Sequence, residues 1–546
     1  MKKWLSPALI VITLLTVVCL CTACYSPQSG GLLFTEVEGG YQVTGVSLWN
    51  RFYKNYTVDI PSHYNGKPIV AISDHAFQGY TSLASIKIPD TVKRIGDQAF
   101  YGCVILISVD IPDSVTYIGK EAFYDCLMLD KVTIPDSVTT IGERTFYNCT
   151  NLTDVTLPNG ITTIGEQMFY ECVSLRSVTI PDGVKEIGLE AFDGCSSLTD
   201  VTIPDSVTAI RRRAFAGCAS LTDVKIPDGL TFIDDLTYLN CTSLRSVTIP
   251  DSVTTIGVSA FNNCASLPNI TIPDSVTTID YLAFYGCVSL TSVTLPDSVT
   301  TIGSLAFNDC TGLTDISIPE SVTTIADRAF LGCTSLRSVT IPDSATIGVA
   351  AFAACSNLTK IEISAENAKY CLDDNGILYN KDKTLLMRAP GLIQGSITIP
   401  DGVTAIEEGA FANCAGLTGV IIGNSVTNIG RSAFYNCASL ADLTLPDSVT
   451  TMGYRAFSHC DSLRSVTIPD GVTTIGTCVF ADCPNLNSIT VPTSVTTIDN
   501  HAFSQCTGLT NIHYDGSREE WHKIEIGYGN DPLYYYANII CKDDQS

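Results

Sequence analysis

Seventeen of the 23 cysteines in this chain of 546 residues lie at a nearly constant spacing. They recur every 23 residues from Cys103 to Cys333, and the period resumes at Cys414 after an irregular stretch. All but one are preceded three residues earlier by Phe, the exception being Tyr238, and a cysteine-free copy is centred on Phe77. The chain therefore carries 18 copies of one unit, and a period of this length is the signature of a solenoid.

One copy, from Leu175 to Ser197, shows why the unit repeats. Its first residues, Leu-x-x-Val-x-Ile, alternate as a strand does, and Pro181 ends that strand because proline has no N–H to donate. A Pro-Asp-Gly turn leads to a second, shorter strand over Val184 to Ile187, and Ala191 to Cys195 suits one helical or 3₁₀ turn. One unit is too small to bury its apolar positions, so we expect the copies to stack as neighbours.

The strand pattern resembles that of the leucine-rich repeats. Its continuation, Ile-Pro-Asp-Ser-Val-Thr-Thr-Ile-Gly-x-x-Ala-Phe-x-x-Cys, resembles the BspA-like subclass of bacterial surface proteins over about residues 60–513. The resemblance implies a leucine-rich-repeat solenoid, an arc of about 18 coils of 23 residues with parallel β-strands on the concave face. Each coil would add a short second strand and a helical or 3₁₀ turn. The resemblance also implies display at the cell surface and adhesion to a protein of a host or a neighbouring cell.

The N-terminus predicts export. Met1-Lys2-Lys3 is followed by an apolar run from Trp4 to Leu20, as in a secretory signal. Cys24 follows Thr-Ala and resembles the acylated cysteine of a bacterial lipoprotein box, which would hold the chain at a membrane by a lipid. A plain signal peptide and an uncleaved anchor helix are the alternatives. We expect an exported, membrane-anchored lipoprotein at the cell surface.

Departures from the unit divide the chain. The first segment is irregular, as expected of an end coil that must cover exposed core and strand edge. Residues 362–396 interrupt the period and predict two strands, Ile377–Asn380 and Leu385–Arg388, which form either a decorated repeat or a binding protrusion. The segments are a signal peptide of lipoprotein type (1–23), a tether (24–32), an N-terminal cap (33–75), repeats (76–361), a β-hairpin insertion (362–396), repeats (397–513) and a C-terminal cap (514–546).

The formal net charge of −25 argues against charge-driven binding to nucleic acid or to an anionic membrane. The partner that the family resemblance implies is a surface or matrix protein of a host or neighbouring cell, the alternative being a glycan, and we expect membrane contact only through the N-terminal lipid. Arg211-Arg212-Arg213 is a small basic island that is more typical of a solvated turn than of a site.

No constellation in the sequence predicts catalysis, a cofactor or a metal site. The six histidines are scattered, and no phosphate loop or nucleophile elbow occurs. The acidic residue after most of the repeat prolines is typical of a turn, the alternative being stacked carboxylates that bind Ca²⁺. The ladder lacks paired metal-ligand spacing, so it predicts buried thiols, with disulfides between adjacent coils as the alternative. Cys371, Cys478 and Cys541 lie outside the ladder and are the candidates for exposed thiols.

The exposed face of the first strands is the leading candidate for binding. Threonine fills the outward position in many copies, and arginine recurs at the second position of the unit. An ordinary solvated sheet is the alternative, because threonine is favoured on strands by propensity alone. We predict non-enzymatic protein binding or adhesion, the rivals being a spacer of the envelope and a protein that captures glycans or peptides. The candidate binding residues are Arg176, Thr179, Thr202, Lys225, Arg245, Thr248, Thr271, Thr294 and Arg337.

Overall fold

The computed structural model describes residues 31–47 and 56–545, which belong to two compact units that divide between Ser252 and Val253. The first unit comprises the described residues up to Ser252, and the second unit comprises those from Val253 onward. The predicted signal peptide and Cys24 lie outside the described residues. Within the described ranges, no helix is long and apolar enough to cross a membrane.

Each coil contributes two short strands to two parallel ladders. In the first strand Lys131–Thr133, Val132 is buried between two exposed side chains, and the strand pairs in parallel with Asp154–Thr156 of the next coil. The second strand of this coil, Thr140–Ile141, pairs with Tyr117–Ile118 of the preceding coil. The two-residue period of a strand thus places the apolar positions of the unit inside and their polar neighbours outside.

The solenoid has about 21 coils of about 23 residues, against the 18 copies counted in the sequence. Each additional coil keeps a first strand but has neither the aromatic residue nor the cysteine by which the 18 copies were counted. The additional first strands are Lys360–Ile363, Asn511–Tyr514 and Asn538–Cys541. Parallel pairing needs only the backbone and one buried face, so a coil persists where the Phe and Cys of the unit are absent.

The first unit begins with an antiparallel hairpin, whose strands are Leu32–Val37 and Gly40–Val46. The second hairpin strand pairs in parallel with Lys67–Ile72, which also pairs antiparallel with His63–Tyr64. The first strands of the coils in this unit are Tyr56–Asp59, Leu83–Lys87, Ser108–Asp110, Lys131–Thr133, Asp154–Thr156, Ser177–Thr179, Asp200–Thr202, Asp223–Lys225 and Ser246–Thr248. The second strands are Arg94–Ile95, Tyr117–Ile118, Thr140–Ile141, Thr163–Ile164, Glu186–Ile187, Ala209–Ile210 and Phe232–Ile233.

The second unit has two ladders of short strands of its own and adds three strands in the insertion. Its first strands are Asn269–Thr271, Ser292–Thr294, Asp315–Ser317, Ser338–Ile341, Lys360–Ile363, Gly395–Thr398, Leu417–Ile421, Asp442–Thr444, Ser465–Thr467, Ser488–Val491, Asn511–Tyr514 and Asn538–Cys541. Its second strands are Thr255–Ile256, Thr278–Ile279, Thr301–Ile302, Thr324–Ile325, Thr346–Ile347, Ala405–Ile406, Asn428–Ile429, Thr451–Met452, Thr474–Ile475, Thr497–Ile498 and Glu525–Ile526.

The third side of each coil is a run of tight turns, where the sequence predicted a helical or 3₁₀ turn. In one coil, the N–H groups of Glu121, Phe123 and Asp125 each donate to a carbonyl of the next coil at 2.9 Å. Glu121 and Asp125 both have φ of 55°, and such left-handed residues prevent a helix from forming. This requirement explains why Gly, Asn or Asp so often precedes the cysteine, since these residues adopt positive φ most readily.

Buried side chains form stacks along each unit. The rings of Phe100 and Phe123 lie 5.1 Å apart with their planes at 10°, and both rings are fully buried. The cysteines of the ladder are equally buried, and in most coils the Sγ donates to the carbonyl of the preceding coil's Phe, as from Cys126 to Phe100 at 3.3 Å. The Phe and Cys ladders of the sequence are therefore one packed core.

The insertion folds into an antiparallel meander of three strands, Tyr370–Leu372, Leu378–Asn380 and Leu385–Arg388. The last of them pairs in parallel with the second strand Ala405–Ile406, so the meander joins the second-strand ladder. The sequence indicated only the second and third strands, because Tyr-Cys-Leu is too short to show an alternating pattern.

Arg388, at the end of the meander, is 3% exposed. Its guanidinium donates to the carbonyls of Gly409 at 2.8 Å and Cys355 at 3.2 Å, which belong to the coils on either side of the insertion. Nearer the surface, Arg328 of an earlier coil pairs with Glu408 at 2.8 Å. These contacts connect the coils that the insertion interrupts.

The C-terminal segment closes the second unit. A short α-helix, Arg518–Trp521, starts at a capping box in which Ser517 and Glu520 satisfy each other's backbone N–H groups, and Trp521 is buried. A π-helical turn, Pro532–Tyr536, leads to the last strand, Asn538–Cys541, and a 3₁₀ turn, Lys542–Gln545, follows. The buried Trp521 belongs to the apolar core and packs edge-on against Tyr514, with ring centroids 5.4 Å apart.

Candidate binding surfaces

The first-strand face consists of the exposed side chains on either side of the buried residue in each first strand. Parallel pairing holds these side chains in columns, because Ser177 lies beside Asp200 and Thr179 lies beside Thr202 in register. Neighbouring members of a column are about 4.8 Å apart, the spacing of strands in a sheet. The face therefore presents small polar and acidic side chains on a backbone that is ordered by its own hydrogen bonds.

All nine candidate binding residues are exposed on this face or directly beside it. The structure pairs Thr179 with Thr202, Lys225 with Thr248, and Thr271 with Thr294 in neighbouring strands. It keeps the arginines apart: Arg176 and Arg245 each precede a first strand, but three coils separate them, or about 14 Å at strand spacing. Arg337 occupies the same position in the second unit. Lys225 is paired with exposed Asp205 at 3.2 Å, a contact of little energetic weight.

Acidic residues border this face in the first unit. A cavity of about 420 Å³ is lined by Asp136, Asp154, Thr156, Asn159 and Thr179 among others. Asp136 follows a proline, and its carboxylate accepts hydrogen bonds from the backbone and side-chain N–H groups of Asn159 in the next coil. The acid after proline thus has a structural task, as expected of a turn residue.

Across the residues that the structure describes, one group of three side chains has ligand atoms close enough to share a metal ion: Cys541, Asp543 and Asp544. Asp544 is already engaged, because it accepts a hydrogen bond from the Arg518 guanidinium and another from the N–H of Cys541 at 2.9 Å. The acids that follow the prolines form no such group among the described residues. Calcium binding by the acidic ladder remains a prediction that chelation would test.

The repeat geometry matches a known family. The family model of the BspA type leucine-rich repeat region matches residues 70–198, 163–291, 278–372 and 393–510. This chain belongs to the BspA-type leucine-rich repeat family. Proteins with BspA-type repeats are typically found at the cell surface.

Several solved structures are similar to this BspA-type chain. A leucine-rich cell surface protein from Faecalibacterium prausnitzii A2-165 is 29% identical, with 92% of this chain and 97% of that chain covered and a TM-score of 0.36. A leucine-rich repeat protein from T. pallidum is 32% identical over 35% of this chain and 88% of that chain, with a TM-score of 0.33. One from Bacteroides ovatus ATCC 8483 is 24% identical over 94% and 98%, with a TM-score of 0.34. No curated protein matches this chain.

The thiols of the BspA-type ladder are buried. No disulfide joins the described cysteines, and burial raises the pKa of Cys103 and of Cys287 to about 12. A buried neutral thiol is neither a nucleophile nor a metal ligand, so the ladder serves packing. Outside the ladder, Cys371 and Cys478 are half-buried. The prediction that Cys541 is exposed is wrong: it is fully buried because it ends the last strand against the core.

The corner of a coil is the set of three residues that follow its second strand, such as Gly188, Leu189 and Glu190. In the first unit a cavity of about 500 Å³ lies at the corners between Glu143 and Asp234. It lies where Arg211 and Asp234 replace the glycine that begins most corners. A Cβ on Gly188 would lie 2.9 Å from the preceding coil's backbone, so a larger residue at this position requires the coils to separate locally.

Three arginines at the corners of the first unit are ion-paired. Arg144 pairs with Glu166 at 2.6 Å, Arg211 with Glu186 at 2.7 Å, and Arg213 with Asp193 at 2.7 Å. Two of the three arginines of the basic island are thus neutralised by acids of the preceding coil. This agrees with a solvated, structural turn.

Sequence reasoning missed a cluster at the corners of the second unit. The guanidinium carbons of Arg431 and Arg455 each lie 5.1 Å from the ring centroid of Tyr454, and all three residues are exposed. Within one coil these residues look unremarkable. The signal appears only when each corner is compared with those 23 residues before and after it.

Proposed function

We propose that this BspA-type chain is a non-enzymatic bacterial lipoprotein whose first-strand face binds a protein on a host or neighbouring cell. The observation that carries the proposal is the register of that face, in which exposed side chains such as Thr179 and Thr202 stand side by side on paired strands. Side chains presented on an ordered sheet lose little backbone entropy when a partner binds. Repeat proteins of this kind are generally binding scaffolds.

The composition of the face favours a protein partner over a glycan that stacks on aromatic rings. From Ser108 to Ile341, the first strands contain no Phe, Tyr or Trp. They instead alternate hydroxyl groups with carboxylates, as in the column of Asp154, Ser177 and Asp200. Polar columns of this kind suit hydrogen bonds and ion pairs with a protein surface.

The binding test uses the soluble chain from residue 25, captured against a panel of host matrix proteins and glycans. A variant with Arg176→Glu, Arg245→Glu and Arg337→Glu should lose most binding, because each reversal adds a charge that repels the partner's acids. The matched control reverses Lys93, Lys185 and Arg212, which are exposed on other faces. Unchanged binding in the first variant would place the site elsewhere.

The lipid anchor is tested separately at Cys24. Growth with a labelled fatty acid should yield a labelled protein in the membrane fraction, and Cys24→Ser should abolish the label. Release of the Cys24→Ser chain into the medium supports the lipoprotein. Unlabelled wild-type protein would instead support a plain signal peptide or an anchor helix.

A further inference from the structure

We infer a second binding site, for a glycan that carries sulfate or phosphate esters, at the corners of the second unit where Arg431 and Arg455 flank Tyr454. Each guanidinium carbon lies 5.1 Å from the Tyr454 ring centroid, so twice that distance, about 10 Å, is the widest separation of the two charges. This site lies on the corner side of the coil, and its existence does not depend on the proposed role of the first-strand face.

Neither guanidinium has a carboxylate partner among the described residues. Glu408 occupies the position of Arg431 one coil earlier, but it is already held by Arg328, which donates from Nη2 at 2.8 Å and from Nε at 3.2 Å. Glu407, next to it, is half-buried and accepts from the N–H of Ala350 at 3.4 Å. Both acids of the coil before Arg431 are therefore engaged by other groups, and the Arg431 guanidinium packs on the Tyr454 ring instead.

The corner segments around the pair contain no acid over three consecutive coils. The segments from the second strand through the corner to the Phe, Val426–Phe434, Val449–Phe457 and Val472–Phe480, contain neither Asp nor Glu. This is an unusual stretch in a chain with 56 acidic and 31 basic residues. Two free guanidiniums without competing carboxylates create a local positive potential.

The chemistry of these side chains defines the ligand class. Arginine's planar fork of N–H donors matches the oxygens of a sulfate or phosphate ester. Exposed amide and hydroxyl groups line the same side of the coils and can bond sugar hydroxyls: Asn428, Thr450, Thr451, Thr473 and Thr474. Two cations can hold one ester, whereas a nucleic acid needs a longer basic track than this acidic chain offers.

The test titrates the full chain in mild detergent with a sulfated hexasaccharide, a phosphorylated oligosaccharide, the unesterified form of each and inorganic sulfate. We expect binding of an esterified glycan that weakens as NaCl is raised, and at least about tenfold weaker binding after Arg431→Gln with Arg455→Gln. Replacing both by Lys should recover part of the affinity, because charge returns without the fork. The esterified glycan that binds identifies the source of the oxyanion.

The matched control is Arg211→Gln with Arg212→Gln, which removes two corner arginines from the acid-rich first unit. It should leave the affinity within about twofold, and equal thermal unfolding of both double variants excludes misfolding as the cause. The proposal is overturned if no esterified glycan binds the wild-type chain or if the unesterified forms bind equally. Equal loss in both double variants, or binding of inorganic sulfate alone, would also overturn it.

Discussion

Two kinds of corner carry arginine at the same repeat position but use it differently, those of Arg144 and Arg213 in the first unit and that of Arg455 in the second unit. In the first unit Arg144 and Arg213 are ion-paired with Glu166 and Asp193, at 2.6 and 2.7 Å. In the second unit Arg455 lies over a tyrosine ring and has no carboxylate partner among the described residues. The side chain is the same, and the difference is whether the adjacent coil places an acidic residue beside it.

This contrast shows where functional information lies in a solenoid. Each side chain meets its counterparts 23 residues earlier and later, as when Arg213 lies 3.8 Å from Glu190. A column in which acids and bases alternate neutralises itself and stabilises the stack. A column that lacks the acids leaves its arginines available to a ligand. Binding sites on such a chain are therefore found by reading columns and not single coils.

The largest expected effect concerns the core that both corners share. Phe192→Ala in the first unit and Phe457→Ala in the second should each cost about 3–5 kcal/mol, because each ring is fully buried between stacked neighbours. Urea unfolding measures the loss, and amide hydrogen exchange locates it to the altered coils. A much smaller loss of unfolding free energy in one unit would show that the cores of the two units are not equally well packed.

The next effect concerns Glu407, in the coil before Arg431, and is a dependence of folding stability on pH. Burial, together with the smaller effects of the charges on Asp327 and Glu408, raises the pKa of Glu407 to about 7, above its unfolded value, although the Ala350 N–H opposes the shift. The folded chain therefore holds a proton that the unfolded chain releases, so stability falls by about 2–3 kcal/mol as pH rises from about 4.5 to 7.

Glu407→Gln should remove that part of the pH dependence and raise the melting temperature at pH 8 relative to wild type. Melting curves at several pH values across this window measure the effect, with Glu143→Gln, an exposed corner acid of the first unit, as the control. If the melting temperatures of wild type and Glu407→Gln change equally with pH across the window, Glu407 does not hold a proton in the folded chain.

A smaller effect compares a paired arginine with a free one. Arg213→Gln should destabilise by about 1–3 kcal/mol, because it leaves the carboxylate of Asp193, which is 6% exposed, without its charged partner. Arg455→Gln should change stability by less than about 0.5 kcal/mol, since its guanidinium is exposed and unpaired with any described acid. Equal losses measured by urea unfolding would contradict the assignment of Arg455 as available for binding.

Much of the fold was predictable from the sequence, because the same apolar and turn positions recur in successive copies of the unit. Phe and Cys at a fixed spacing predicted the buried ladders, and the Leu-x-x-Val-x-Ile pattern predicted the first strands. The three coils that the sequence missed, at Lys360–Ile363, Asn511–Tyr514 and Asn538–Cys541, keep a strand but lack the Phe-Cys segment that was counted. The turn side was misjudged because left-handed φ values at residues such as Glu121 follow from stacking and not from local preference.

The sites were less predictable than the fold. The exposed first-strand positions followed from alternation alone, so residues such as Thr179 and Thr202 were located correctly. The cluster of Arg431, Tyr454 and Arg455 was missed, because pairing depends on side chains one coil away and on Glu408 being held by Arg328, 80 residues earlier. That last contact crosses the insertion, and no period in the sequence indicates it.

The most direct test places an acidic residue in the corner column of Arg455, which has no acid in the neighbouring coils. Ser432 precedes Arg455 by one coil, as Glu190 precedes Arg213, and Glu190 has the same left-handed backbone as Ser432. Titrating an esterified hexasaccharide into Ser432→Glu should show affinity about tenfold below wild type, whereas Ser432→Gln, similar in size but neutral, should stay within about twofold. Equal affinity of the two variants would contradict the claim that carboxylates one coil away decide whether a corner arginine binds a ligand.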